Sequence, residues 1–506
     1  MNVLIKAAIA ASLMVSNANV FAKESEDDKS LFNSKTFKSM ELRNIGPAYM
    51  SGRISDIAVD QKNPSTWYTA VSSGGVWKTV NSGTTWTPIF DKQKVYSTGD
   101  VTIDPNNSNI IWVGTGENNG GRHISFGDGI YKSLDGGKTW KNMGLKKSER
   151  ISDIIIHPTN SDIVWAAVQG PLWSSGGERG LYKTTDGGKT WNQVLKTKDE
   201  WTGVTSMLID PRNPDKLYAA TWSRQRTVAA YVGTGPGSGI HTSDDGGETW
   251  TELKTGLPKG NMGKIGMAIS PINPDIVYAT IEIDNRKGGF YRSENRGASW
   301  KKMSDEVGGG TGPHYYQEIF ADQHQLDRVY IASNYSKVSD NGGKTWTPIN
   351  TKRKHVDDHA FAFHPTDPDF VLIGSDGGIY MSHDRMANWR YIANLPLTQF
   401  YKVAPDDATP FYNVYAGAQD NSTQGGPSRT ARKEGIKNKD WFLTLGGDGH
   451  QPAVEPGNPD IMYSQWQQGN LTRHDLKTRE SVYIKPQARP GEPAERYNWD
   501  APINVS

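Results

Sequence analysis

Short runs of alternating apolar and polar side chains recur along this chain in a fixed order. Val101-Thr102-Ile103 ends in Asp104-Pro105, and Met207-Leu208-Ile209 ends in Asp210-Pro211 followed by Asn213-Pro214. Met267-Ala268-Ile269 ends the same way, in Ser270-Pro271 and Asn273-Pro274. Alternation with period two predicts a strand with one buried face. Proline, with φ fixed and no N–H to give, closes that strand and sets a turn. A second apolar run follows, as in Leu217-Tyr218-Ala219-Ala220-Thr221, then a third that enters a turn, and a fourth that starts at tryptophan. Four short antiparallel strands in about 50 residues predict one blade of an all-β propeller.

The turn between third and fourth strands carries the most specific signal. Ser133-Leu134-Asp135-Gly136-Gly137-Lys138-Thr139-Trp140 is one copy of Ser/Thr-x-Asp/Asn-x-Gly-x-Thr/Ser-Trp. Others lie at 79–86, 184–191, 243–250, 293–300 and 339–346, and a worn copy at 382–389 has Met386 for the Gly and Asn388 for the Thr. Their tryptophans recur 43 to 59 residues apart. An Asp or Asn at the third position accepts N–H groups of its own turn, the Gly takes positive φ, and the Trp packs between sheets. Each copy has its own turn to close and all of them cannot share one site, so these acids read as turn closures rather than catalytic groups.

After Trp389 the first half of the repeat persists, at 401–405 and 452–459, while the acidic turn gives way to Arg473-His474-Asp475-Leu476-Lys477-Thr478. The expected organisation is blades with the turn over 37–397 and further blades without it over 398–506. Two layouts fit: one ring of about ten blades, or a ring of about seven with part of a second. Loss of the turn favours the second. Residues 40–46 read as an outermost strand that completes a last blade. Residues 503–506 read as the first strand of a further repeat, so the 506 residues are expected to be part of a longer chain or to end early.

Composition narrows the setting. Lys+Arg 56 against Asp+Glu 55 leaves a net charge of +1, so no field recruits nucleic acid or an anionic membrane. The absence of cysteine excludes disulfides, thiol chemistry and thiolate metal sites. Lys6, the apolar run 7–15 and Val20-Phe21-Ala22 read as a signal peptide over 1–22, followed by a polar leader over 23–36. That apolar run is too short to span a bilayer, and no membrane insertion of the mature chain is expected. The expected location is periplasmic or extracellular.

The repeated turn resembles the Asp-box of sialidases, xyloglucan-hydrolysing enzymes and sortilin/Vps10 receptors. The chain more closely resembles bacterial exported proteins with a sortilin-type N-terminal region, often labelled BNR-repeat glycosyl hydrolases. Residues 42–47, 114–119, 127–133, Gly417-Ala418-Gln419-Asp420-Asn421 and Gly446-Gly447-Asp448-Gly449 carry the likeness, which extends over nearly the whole mature chain. The resemblance implies the propeller fold; one architecture hosts many functions. Xyloglucan-hydrolysing relatives place a catalytic carboxylate in an early turn of the first blade. Here that turn reads Val71-Ser72-Ser73-Gly74-Gly75, with Ser72 at the position of the carboxylate, and no sialidase-like Arg-Ile-Pro start occurs.

Chemistry is therefore sought at the ends of strands away from the repeated turns. His355-Val356-Asp357-Asp358-His359 would place His355, Asp357 and His359 on one side of an extended segment. Asp376, Asp420, and Asp448 with His450 occupy comparable places in later repeats. Such a set suits acid–base work or a hard or borderline metal, against the plainer reading that each acid braces a turn beside glycine. Asp376, Asp420, Asp448 and His359 are the catalytic candidates; Glu117, Arg122, His123, His355 and His450 are the ligand-binding candidates, with Asp128 beside the earlier group. No metal ligand and no cofactor is assigned. Trp173, Trp222, Tyr231, Tyr315 and Tyr316 could stack on sugars or pack between blades. The main expectation is a binding protein for a polypeptide or glycan at the central face, without assigned catalysis. The alternative is a carbohydrate-active enzyme using the carboxylates at the propeller mouth, and an envelope assembly factor is a third reading.

Overall fold

The computed structural model describes residues 36–506 apart from 41, 47–48, 51, 122–123 and 309–316. Among the described residues the apolar runs pair into nine four-stranded antiparallel sheets. The first comprises Ile54–Val59, Trp67–Val71, Gly75–Thr79 and Thr87–Pro88. Numbered in chain order, the other sheets begin at Thr98, Ile151, Thr202, Met262, Ile319, Asp358, Lys402 and Ala453. In every sheet the strands lie side by side in sequence order, so each repeat is a meander. Burial falls from inside to outside: Trp67–Val71 is buried throughout, whereas Thr87–Pro88 is exposed. The chain is an all-β propeller.

Seven apolar clusters each join two neighbouring sheets, and the series closes on itself. Trp112 and Ile130 of sheet two pack with Ile154 and Val164 of sheet three, and equivalent cores follow around the array. The closing cluster sets Ile54, Trp67 and Val71 of sheet one against Ala360, Leu372 and Ile379 of sheet seven. Gly374 makes that approach possible, since a Cβ there would stand 2.6 Å from Ile54 Cγ2. Seven sheets therefore make the ring, and sheets eight and nine pack against each other beyond it. Innermost strands surround a cavity of about 520 Å³ lined by Ile57, Val101, Leu208, Met267, Ile319 and Phe361.

Two strand expectations fail. Sheets one and seven each own four consecutive strands, so the ring closes by side-chain packing and not by a borrowed strand. Residues 36–39 form a turn and residues 42–46 carry no strand. Residues 501–506 are likewise not a strand. Side-chain amides hold them instead: Gln451 Nε2 donates to the Ile503 carbonyl at 3.0 Å, and Gln465 Nε2 donates to that of Ala501.

The repeated turns close as their residue types require. Ser133 Oγ accepts the N–H of Gly137 at 2.8 Å and donates to Asp135 Oδ1 at 2.8 Å. Asp135 also accepts the N–H of Thr139 at 2.8 Å and its hydroxyl at 2.6 Å. These bonds hold the Asp135 carboxyl down at about 2. The worn copy keeps the same set, with the Met386 N–H on Ser382 Oγ at 2.8 Å and Asn388 on both Asp384 oxygens. Trp140 Nε1 donates to the Ile89 carbonyl of the preceding repeat at 2.7 Å, tying neighbouring repeats together.

Candidate functional site

Connections between second and third strands bring the late acids together. Asp376 follows strand Val371–Ser375 of sheet seven, Asp420 follows Asn413–Gly417 of sheet eight, and Glu117 follows Ile111–Thr115 of sheet two. Arg53 stands one residue before the first strand of sheet one. Asp376 sits in a tight turn between the paired residues Ser375 and Gly378. Asp420 has φ 59° and Asp357 has φ 66°, a left-handed backbone that non-glycine residues adopt at some cost. Each is fixed by its own N–H: Asp420 donates to Asp448 Oδ1 at 3.0 Å, and Asp357 to the Asn334 carbonyl at 3.0 Å. The turn at Asp357 breaks the extended segment expected through 355–359. His355 departs from the other two, its ring contacting the Asp420 carbonyl at 3.3 Å, whereas His359 faces Asp376.

Arg53 is the centre of the group. Its Nε donates to Asp376 Oδ1 at 2.7 Å and its Nη2 to Oδ2 at 3.1 Å, a fork across one carboxylate. Its Nη1 donates to Glu117 Oε1 at 2.6 Å, where Asn119 Nδ2 also donates at 2.6 Å. His359 Nε2 lies 2.8 Å from Asp376 Oδ1. The Asp420 carboxyl stands beside those of Asp376 and Asp448. Ligand oxygens of Asp357, Asp376 and Asp420 lie within 4.8 Å of one another. Tyr401 Oη donates to Gln419 Oε1 at the edge of this group, and Asn421 Nδ2 donates to the Asp376 carbonyl at 2.9 Å.

The electrostatics separate the acids. Burial alone would raise Asp376, but the Arg53 charge and then His359 hold it far below the ordinary carboxylate range. Asp420 goes the other way. Burial, then the neighbouring Asp376 and Asp448 carboxylates, push it up to about 10, so it keeps its proton at neutral pH. Adjacent carboxyls whose surroundings drive them apart provide one anion and one proton donor. Arg53 is buried, which opposes its charge, and Asp376 and Glu117 outweigh that cost.

The other expected residues take separate places. Glu117 reaches the group only through Arg53. His450 is buried, stacked on Tyr401 with ring centroids 5.2 Å apart, near Trp499. Asp128 accepts the Tyr131 hydroxyl at 2.9 Å and serves its own sheet. Arg122, His123, Tyr315 and Tyr316 lie outside the described residues. Ser72 is buried in the sheet-one turn and supplies no carboxylate, while Asp376 fills the corresponding turn of sheet seven. Of the aromatics, Trp173 is exposed, but Trp222 is buried beneath the Arg224 guanidinium, 5.1 Å from its ring. Arg53, the residue that joins Asp376 to Glu117, is the one that pattern reading missed. A signal existed: Arg53-Ile54-Ser55-Asp56 recurs unchanged as Arg150-Ile151-Ser152-Asp153, marking a repeated position at the start of an innermost strand.

The fold is that of a β-propeller protein. The profile of the Sortilin-Vps10 family, described as sortilin, neurotensin receptor 3, matches residues 128–264 and 288–434. The chain belongs to that family. Among curated proteins it is 23% identical over 348 residues to a xyloglucanase of Paenibacillus sp, covering 61% of this chain and 32% of that one. It is 25% identical over 291 residues to a xyloglucanase of Hypocrea jecorina, covering 50% and 32%. The chain thus spans about a third of the length of these relatives. Among solved structures, a GH74 enzyme of Niastella koreensis superposes with TM-score 0.58 at 17% identity, covering 88% of this chain and 68% of that one. A GH74 xyloglucanase from Xanthomonas campestris gives 0.55 at 13% identity, covering 88% and 75%. These two share the fold. The expectation of a binding protein without catalysis is corrected here: the curated relatives are enzymes of glycan breakdown, which favours the carbohydrate-active reading.

Proposed function

We propose that the chain is a carbohydrate-active protein of the glycoside hydrolase type, acting on a β-glucan of the xyloglucan class at the Arg53–Asp376–Asp420 mouth. The observation that carries this reading is the half-buried Asp420 carboxyl, kept protonated between Asp376 and Asp448. Similarity to xyloglucanases supports the substrate class. A glycosidic bond breaks when its oxygen is protonated as the ring carbon gains positive charge. Asp420 is the proton donor in this reading, and the anionic Asp376, held by Arg53 and His359, sets the field that keeps that proton in place. Signal-directed export through residues 1–22 belongs to the same proposal. Among the described residues no helix is long and apolar enough to cross a membrane.

The test is release of reducing ends from xyloglucan, its oligosaccharides and other β-glucans by the full chain at pH 5–8. Saturable turnover of a xyloglucan-class substrate is expected. Absence of turnover on every member of the panel by correctly folded protein overturns the proposal.

A further inference from the structure

Four residues of the mouth come from one place in the repeat. Glu117, Gln169, Arg224 and Asp376 each follow the second strand of their own sheet by one or two residues, in sheets two, three, four and seven. The connections of sheets two, three and four fasten one another. Gln169 Nε2 donates to the Asn118 carbonyl at 3.0 Å, Arg224 Nη1 to that of Asn119 at 3.0 Å, and Arg226 Nε to that of Gly120 at 2.8 Å. Three consecutive carbonyls after Glu117 are thus pinned from sheets three and four. Gly116 turns the chain into this segment at φ 86°, where a Cβ would stand 1.8 Å from the Glu149 carbonyl oxygen. The Asn119 side chain is fixed at both ends: its Oδ1 accepts the Gly121 N–H at 2.7 Å, and its Nδ2 donates to Glu117 Oε1 at 2.6 Å.

All of this holds one carboxylate on one guanidinium. Glu117 is fully buried; its Oε1 accepts Arg53 Nη1 at 2.6 Å, while its Oε2 has no hydrogen-bond partner. A buried carboxylate left half-paired is costly, and Arg53 already has an anion in its fork on Asp376. Neutralising Arg53 therefore does not account for Glu117. We propose that Glu117 is a positioning residue: it fixes the Arg53 fork on Asp376 and, through Arg53, sets how firmly Asp420 holds its proton. The inference rests on the reading of Asp420 as the proton donor. The charged and titratable groups that face Asp420 are Asp376, Asp357 and Asp448, the Arg53 guanidinium, Tyr401, and the His355 ring against its carbonyl. Arg53 is the one guanidinium among them. Removing the Glu117 charge leaves more of the Arg53 charge directed at Asp376 and Asp420, so Asp420 gives up its proton at lower pH.

The test is titration of the Asp420 carboxyl by ¹³C NMR in the full chain, assigned by its loss in Asp420→Asn, alongside the pH profile of turnover on xyloglucan oligosaccharides. Glu117→Gln keeps an oxygen for Arg53 and Asn119 and removes the charge. Its Asp420 titration should move down by about one pH unit, and the alkaline limb of kcat should move down with it. In an Arg53→Lys background, where the fork is gone, the same substitution should shift the titration by about half as much or less. An unmoved Asp420 titration in folded Glu117→Gln overturns the inference. So does a full shift in the Arg53→Lys background, which would make Glu117 a distant charge that does not act through Arg53. Should Glu117→Gln fail to fold, Glu117→Asp decides: it draws the carboxylate back by one methylene and should move the titration the same way by less. A wild type that turns over no glycan while Glu117→Gln shifts its Asp420 titration would overturn the glycan reading and leave this inference standing.

Discussion

At the residue scale, burial decides what each tryptophan does. Trp67, Trp112 and Trp165 lie in the second strands of the first three sheets and are fully buried. Trp140 ends a repeated turn and is only half-buried, edge-on to Phe90 with centroids 5.3 Å apart and one hydrogen bond to Ile89. Removing a fully buried tryptophan costs about 3–5 kcal/mol, and a half-buried one about half of that. The expected order under urea denaturation is therefore Trp67→Ala losing about 3–5 kcal/mol and Trp140→Ala about 2 kcal/mol. Equal losses would mean that the turn tryptophans carry as much of the core as the inner ones. The acids at the mouth are residue-scale devices of another kind. Asp376 and Asp420 are chemically identical and adjacent, and only their neighbours make one an anion and the other a proton donor.

At the element scale, the innermost strands are stitched by carboxylates. Asp56 Oδ2 accepts the N–H of Val101 in the next sheet at 3.0 Å, and Asp153 Oδ2 accepts that of Met207 at 2.8 Å. Burial raises Asp56 to about 6 and Asp153 to about 7, and it raises Asp100 well above its ordinary value. The folded chain thus holds protons here that the unfolded chain gives up above about 4. Unfolding releases them, so these groups make the fold less stable as pH rises from about 4 to about 7. Asp153→Asn keeps an oxygen for the Met207 N–H and removes the titration. Its melting temperature should exceed that of the wild type at pH 7.5, with the gap closing at pH 5. A gap independent of pH would contradict the assignment.

The repeat itself was readable because strand alternation, proline stops and the acidic turn are all local in sequence. Asp376 and Asp420 share a local cue of the same kind, since each follows the second strand of its repeat, whereas Asp448 follows a fourth strand and His359 lies within a first. What stayed hidden depends on contacts across the ring. Arg53 lies 323 positions from Asp376, and no local pattern announces that pair. The positive φ of Asp357, which turns His355 away from His359, is set by the carbonyl of Asn334 in the preceding sheet. The burial of Trp222 follows from Arg224 and Lys264 packed over its ring, again a consequence of neighbours.

At the scale of the whole molecule, division of labour is the main point. The repeated turns between third and fourth strands bind their own backbones and space the sheets, whereas the connections from second to third strands converge on Arg53. Closure of sheet seven on sheet one is what brings Asp376 to Arg53, so the ring is a precondition of the site. The most direct measurement compares two conservative variants, Asp420→Asn and Asp135→Asn, for reducing-end release from xyloglucan oligosaccharides per folded molecule. Loss of a general acid costs about 10²–10⁴-fold in rate. Asp420→Asn should lose that much with its melting curve nearly unchanged, and Asp135→Asn should melt earlier yet keep its turnover. Turnover surviving in Asp420→Asn, or vanishing in folded Asp135→Asn, would contradict the account.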